Sequence, residues 1–240
     1  MFGIKGKLLI LLLGFSLSSL SVYSQAAKPP NLVLMDYQQF HFGYSVGINS
    51  MAFSIIPTDG YHVELKQWPG ININLVTNYR LGKNLDLRAL PGIQFNQRDL
   101  TITDNTNAPK PQDWKIESIY FELPINLKYR ADRVNNYAPY LIAGVNPRID
   151  FLGSELNGLD PGPRMLQAFD VYPELGFGID FYLQNVKVAA ELKFSVSLIN
   201  SYYNPLLDVE DVSLASDYAN YVYGVEKVTS RMVILSIHIE

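Results

Sequence analysis

Three histidines, His41, His62 and His238, are the first residues to test for chemistry, because imidazole serves both proton transfer and metal ligation. His238 follows Ser236 by two positions, which on an extended strand puts both side chains on one face. With a carboxylate, such a pair could hydrolyse a lipid ester by nucleophilic attack. That set would have to lie on the lipid side at the level of the outer leaflet, whereas His238 falls close to the end of the last strand. The plainer reading is a strand-end histidine and an inward-facing serine. His41 sits at a strand start and His62 in a loop, and neither has a partner at metal-ligand spacing. The chain has 0 cysteines, so disulfides, thiolate zinc sites and a lipid anchor on a processed cysteine are excluded. Asp208, Glu210, Asp211 and Asp217 could take up calcium weakly, but the EF-hand spacing is absent, and a solvated acidic loop is the simpler reading. There is no glycine-rich phosphate loop and no G-x-S-x-G elbow. The chain reads as a non-enzyme, with no catalytic, cofactor or metal residue assigned and no small-molecule substrate evident. A net charge of −4 without a basic run excludes the usual nucleic-acid footprint.

The other charges have a regular address. Over Lys187–Asn200, Val188, Ala190, Leu192, Phe194, Val196 and Leu198 fall on one face. Lys187, Ala189, Glu191, Lys193, Ser195 and Ser197 fall on the other. Period two means strand, and about ten residues of tilted strand cross a bilayer. The pattern recurs over Phe40–Ser54, Gly70–Leu81, Asn84–Arg98, Ile119–Arg130, Pro139–Phe151, Val171–Leu183, Val186–Tyr202 and Ser230–Glu240. In the last of these, Met232 and Ile234 on the polar face leave its facing open. The predicted fold is all-β: an eight-stranded antiparallel up-and-down transmembrane β-barrel with short periplasmic turns and long extracellular loops. No later segment has eighteen consecutive apolar residues, so a membrane-embedded mature chain must be a closed barrel.

The N-terminus supports export. Lys5 and Lys7 precede the apolar run Leu8–Phe15, small residues follow, and Ser24-Gln25 is a plausible cleavage point. Residues 1–24 read as a signal peptide, 25–39 as a periplasmic linker and 40–240 as an outer-membrane barrel domain. The connections Leu81–Asn84, Ala131–Ala138 and Gln184–Asn185 are short. Ile55–Trp68, Asp99–Ser118, Gly153–Asp170 and Tyr203–Thr229 are long, and the last carries Tyr218, Tyr221 and Tyr223, a composition suited to contact surfaces. Trp68 and Trp114 each precede a descending strand, where an aromatic girdle would sit at the outer interface; ordinary loop anchors are the alternative.

Arg80, Asp86, Arg88, Arg98, Glu122, Lys128, Arg148, Asp150, Glu174, Asp180, Glu191 and Lys193 all fall on polar faces. Both signs in near balance suit a narrow lumen filled by paired charges. A soluble barrel would alternate equally well with its polar face outward, but the leader and the many glycines on the polar face favour lipid-facing apolar residues. These charges are expected to be structural, and a pore is not expected. Pro91, Pro124, Pro147 and Pro173 lack the ladder donor, so bulges and one-residue slips of facing are expected beyond each.

Several segments, in order, resemble the PorT family, outer-membrane barrels of the type IX secretion system. They are His41-Phe42-Gly43 with Gly47-Ile48-Asn49, Pro91-Gly92 with Gln97-Arg98-Asp99-Leu100, and Lys115-Ile116-Glu117-Ser118 leading to Glu122, Pro124 and Lys128-Tyr129. Asn135-Asn136-Tyr137, Pro139-Tyr140, Gly144-Val145-Asn146, Glu174-Leu175-Gly176 and Gly178-Ile179-Asp180-Phe181-Tyr182 follow. The set closes on Ser230-Arg231-Met232, Leu235-Ser236 and His238. The resemblance spans nearly the whole mature chain and implies an accessory or assembly role in protein secretion. Its implied partners are outer-membrane lipid and other type IX subunits, and it supplies no catalytic residues. The alternative is a generic small barrel with a structural or adhesin-like role.

Overall fold

The computed structural model describes residues 31–104, 110–151, 166–202 and 219–240. The leader over 1–24, the first part of the 25–39 stretch and the acidic loop residues 208–217 lie outside these. Eleven strand segments follow one another: β1 (Phe40–Pro57), β2 (Tyr61–Gln67), β3 (Pro69–Arg80), β4 (Leu85–Ala89), β5 (Gly92–Asp104), β6 (Lys110–Glu122), β7 (Ile125–Arg130), β8 (Tyr137–Asp150), β9 (Phe169–Tyr182), β10 (Lys187–Val196) and β11 (Val225–Ile239). A single turn of helix, α1 (Ala219–Gly224), precedes β11. Segments β2 and β3, β4 and β5, and β6 and β7 are each two halves of one strand, so the ring has eight. All neighbours are antiparallel, and β1 pairs with β11 to close the barrel.

Facing follows side-chain chemistry. Phe42 (69% exposed), Leu141 (61%) and Leu175 (65%) are typical of the outward positions, while Asn74, Arg88, Lys128 and Glu191 are buried inside. Such exposure of large apolar side chains suits hydrocarbon and not water. The turns 81–84, 131–136 and 183–186 share one end with the start of β1 and the end of β11, the periplasmic end of such a barrel. There Lys83 Nζ lies 2.9 Å from Asp132 Oδ1 and ties two adjacent turns. Its hydrogen bond, with that of Asn84, holds the Asp132 carboxyl below the ordinary carboxylate range.

At the opposite end the pattern inverts. Phe53, Leu100, Ile102, Ile116, Val225 and Val228 point inward and are buried. Asp99, Thr101, Asp113, Lys115 and Glu117 alternate with them in sequence. Two segments expected to be loops, Ile55–Trp68 and Asp99–Ser118, are therefore largely strand. They were illegible as membrane strand because here the apolar side faces in and the polar side faces water.

The four prolines do not shift the facing. Even-numbered residues stay inward from Asp86 through Arg98, from Glu122 through Arg130 and from Ala138 through Asp150. Pro91 and Pro124 interrupt the ladder, yet their carbonyls are used: Leu75 N–H donates to Pro91 O at 2.9 Å and Leu90 N–H to Pro124 O at 2.9 Å. Pro147 and Pro173 lie in an unbroken β8–β9 register. The slip occurs at Trp68 instead. Gln67 pairs with Arg98 and Ile71 with Phe95, so three residues, 68–70, oppose two, 96–97. This bulge sits where the polarity inverts.

The described part of the 25–39 stretch is not a free linker. Asn31 N–H donates to Asn136 Oδ1 at 2.9 Å, Asn31 Nδ2 to Tyr182 O at 3.0 Å, and Arg80 Nη1 to Met35 O at 3.3 Å. Arg133 also donates to Asn31 O. Residues 31–39 thus lie along the periplasmic end.

Candidate functional site

Two regions could carry function: the lumen and the extracellular rim. Narrowness dictates the lumen, since eight strands leave an interior that side chains fill. Buried charge is costly unless paired and hydrogen-bonded, so the lumen residues must find one another.

They do so in layers. Near the periplasmic end, Glu191 is a hub: its carboxylate accepts from Arg88 Nη1 at 2.7 Å and Tyr140 OH at 2.8 Å, and lies 3.3 Å from His238 Nε2. Arg88 also donates to Asn78 Oδ1 at 2.9 Å and lies 3.8 Å from Glu240. Glu240 is held by Lys187 at 2.6 Å, and Lys128 by Asp180 at 2.7 Å. Arg80 meets Asp86 at 3.5 Å at the periplasmic edge. In the next layer Arg148 lies 3.2 Å from Glu122 and 3.6 Å from Glu174, while Lys193 meets Glu174 at 3.2 Å. Asn146 donates to both carboxylates at 2.9 Å, and Asn74 to Glu122 at 2.8 Å. Asp150 is buried and engaged with another group. Arg98 stands higher, bonded to hydroxyls and stacked 4.2 Å from Phe53.

Above these charges two apolar clusters close the interior. Met51, Tyr120, Tyr172, Met232 and Ile234 form the lower. Met232 and Ile234 therefore do point inward, which settles the facing of the last strand. The upper cluster, centred on Phe53, Leu100, Ile102 and Ile116, fills the extracellular mouth. Ser236 and His238 are both buried inside the barrel. They are not presented to the lipid side, so the hydrolase arrangement is not formed there. His41 is buried at the periplasmic end and His62 is exposed on the rim. Among the described residues no group of three or more potential ligands could hold a metal ion.

The two tryptophans part company. Trp68 faces outward, 40% exposed, donating from Nε1 to Asp99 Oδ2 at 2.8 Å under the Lys66 ammonium. Trp114, for which the girdle and an ordinary anchor were the two readings, shares the inward register of Leu100 and packs against the mouth cluster. Sequence reasoning also missed Tyr140, Asn78, Asn146 and Glu240 as lumen partners. An asparagine or tyrosine on a polar face reads as filler until its carboxylate neighbour is known.

Ladder pairing is incomplete at the rim. Met51–Pro57 of β1 pairs with β11 and β2 pairs with β5, but among the described residues no ladder joins β1 to β2, and β6 pairs with β8 only over Tyr120–Glu122.

A family comparison agrees with this architecture. Residues 23–203 match the family described as outer membrane protein beta-barrel domain. Among solved structures, Neisserial surface protein A (NspA) aligns at 14% identity with a TM-score of 0.44, covering 84% of this chain and 99% of that one. Ail, the attachment invasion locus protein of Yersinia pestis, aligns at 12% identity with a TM-score of 0.36, covering 84% and 98%. No curated protein matches the chain.

Proposed function

The chain belongs to the outer membrane protein beta-barrel domain family, and from that premise we propose that it is a closed, non-enzymatic barrel that works through contacts made at its extracellular rim. It is an integral protein of the outer membrane. One observation carries the reading: the lumen is occupied from end to end by paired charges and then by apolar clusters, while β1, β2, β5, β6 and β11 run on past the lipid-facing belt. Among the described residues the packed interior supports neither a conduit nor a substrate site, which turns this reading to the outer surfaces. The role of the lumen charges in this reading is to hold the barrel rigid.

A second reading is an accessory part in type IX secretion, assembling or steadying a conduit formed by other subunits. It rests on the ordered segments that resemble the PorT family. One experiment separates the two. A deletion strain is assayed for export of a known type IX cargo and, in parallel, for adherence to surfaces and to neighbouring cells, with total outer-membrane protein as control. Adherence lost with export intact supports the rim-contact reading. Cargo trapped in the periplasm supports the secretion reading.

A further inference from the structure

On the outward wall of β2, β3, β5 and β6 two hollows lie one above the other, at the level where the polarity inverts. The lower, about 410 Å³, runs from Ile71, Phe95 and Ile119 up to Gln97 and Glu117. The upper, about 500 Å³, is lined by Glu64, Lys66, Asp99, Thr101, Asp113 and Lys115, among others.

Cross-strand register sorts these side chains into rows. Ile71, Phe95 and Ile119 stand opposite one another in the lowest row, in the lipid-facing belt. Gln97 faces Glu117 in the next. Above it Lys66, Asp99 and Lys115 stand side by side, and above those Glu64, Thr101 and Asp113. Successive rows on one face are roughly 7 Å apart, and β2 and β6, flanking β5, are about 10 Å apart. The order up the wall is therefore apolar, carboxamide, ammonium, carboxylate. A diacyl phospholipid with an amine in its headgroup has the complementary order: hydrocarbon, ester, phosphate, ammonium.

Charge selects the amine. The lining carries the carboxylates of Glu64, Asp99, Asp113 and Glu117 against the ammoniums of Lys66 and Lys115. A headgroup bearing phosphate alone would add to that negative excess. A phosphoethanolamine brings its own cation and sets it against the upper carboxylates. Contacts within the wall hold the groups in place. Lys66 Nζ lies 4.4 Å from the centre of the Trp68 ring, whose Nε1 donates to Asp99 between the two lysines. Thr101 Oγ1 donates to Asp113 Oδ1 at 2.6 Å, Lys115 pairs with Glu117, and Glu64 lies 3.6 Å from His62 Nε2.

We propose that this wall binds one outer-leaflet phospholipid with a phosphoethanolamine headgroup. An acyl chain lies on Ile71, Phe95 and Ile119, and Gln97 donates to an ester carbonyl. Lys66 and Lys115 straddle the phosphate, and the lipid ammonium donates to Glu64 and Asp113. The site follows from the lipid belt and is independent of whether the barrel serves rim contact or secretion.

The test uses the full-length Trp114→Phe barrel in phosphatidylcholine vesicles, where Trp68 is the sole tryptophan and stands at the site. Phosphatidylethanolamine, phosphatidylglycerol or phosphatidylcholine, each brominated near the headgroup, is titrated in and Trp68 fluorescence is read. Phosphatidylglycerol lacks the amine, and the quaternary ammonium of phosphatidylcholine has no N–H to donate. Phosphatidylethanolamine is expected to half-quench Trp68 at an about threefold lower mole fraction than either, the scale of one or two exposed ion pairs. Glu64→Gln combined with Asp113→Asn, both exposed, is expected to erase the difference in a barrel that still folds. Equal half-quenching by all three lipids, meaning ordinary annular lipid only, would overturn the proposal. So would a preference for phosphatidylglycerol, or a preference for phosphatidylethanolamine that survives the paired substitution.

Discussion

Arg88 and Glu191 meet across the barrel interior at 2.7 Å, and neither side chain is exposed to solvent. They come from β4 and β10, on different sides of the ring, so their bond braces the lumen and does not merely decorate one strand. Tyr140 from β8 and His238 from β11 converge on the same carboxylate. Removing one partner strands a buried charge. Glu191→Ala is expected to lower unfolding stability by roughly 3–5 kcal/mol. Replacing both residues by apolar side chains of similar volume is expected to restore most of it. Urea midpoints of the wild type and the two variants check this, and a double variant no better than the single would contradict the bracing role.

Gly178 guards that hub. A Cβ there would lie 2.4 Å from the Tyr140 hydroxyl oxygen and 2.6 Å from the Ala190 carbonyl. Gly178→Ala must push Tyr140 off Glu191 or shift the strand. The expected loss is about 1–3 kcal/mol, the usual range for overpacking, read from the same unfolding curves.

The lipid belt can be mapped by charge. Leu175 faces outward midway along β9 and is expected to lie near the bilayer midplane. Leu175→Arg should then cost about 2–4 kcal/mol, whereas arginine beyond the belt costs little. Thr101→Arg, above the inversion, is the paired control. Equal losses at the two positions would misplace the membrane boundary.

Trp68 and Trp114 give a second reading of that boundary. With Trp114→Phe, the remaining Trp68 should be quenched by lipids brominated near the headgroup. With Trp68→Phe, the remaining Trp114, packed in the mouth cluster, should be much less affected. Comparable quenching of both would return Trp114 to the girdle.

How far the sequence carried these features depends on the solvent each segment meets. Within the bilayer, alternation was unambiguous. Leu85, Leu87 and Ala89 against Asp86 and Arg88 gave strand, facing and lumen together, because lipid tolerates no outward charge. Beyond the bilayer the same alternation changes meaning, so Val63, Leu65, Leu100 and Ile102 read as loop although they build strands with an apolar inside. The prolines misled because proline forbids only a donor. Where the neighbouring strand needs the carbonyl, as at Pro91 and Pro124, the facing survives. The bulge at Trp68-Pro69 carried no comparable warning beyond a proline at a strand start. Charge pairing across the ring was beyond sequence reach, since Arg88 and Glu191 are 103 residues apart.

The central claim is that the hairpins beyond the belt face the outside of the cell and the short turns face the periplasm. The cysteine-free chain makes that claim directly measurable. Thr103→Cys on the rim and Asp132→Cys in a short turn are expressed separately in intact cells and exposed to a membrane-impermeant maleimide. The account predicts labelling at position 103 and none at 132 until the outer membrane is permeabilised. Labelling of 132 with protection of 103 would contradict it, and the rim could then not be the contact surface.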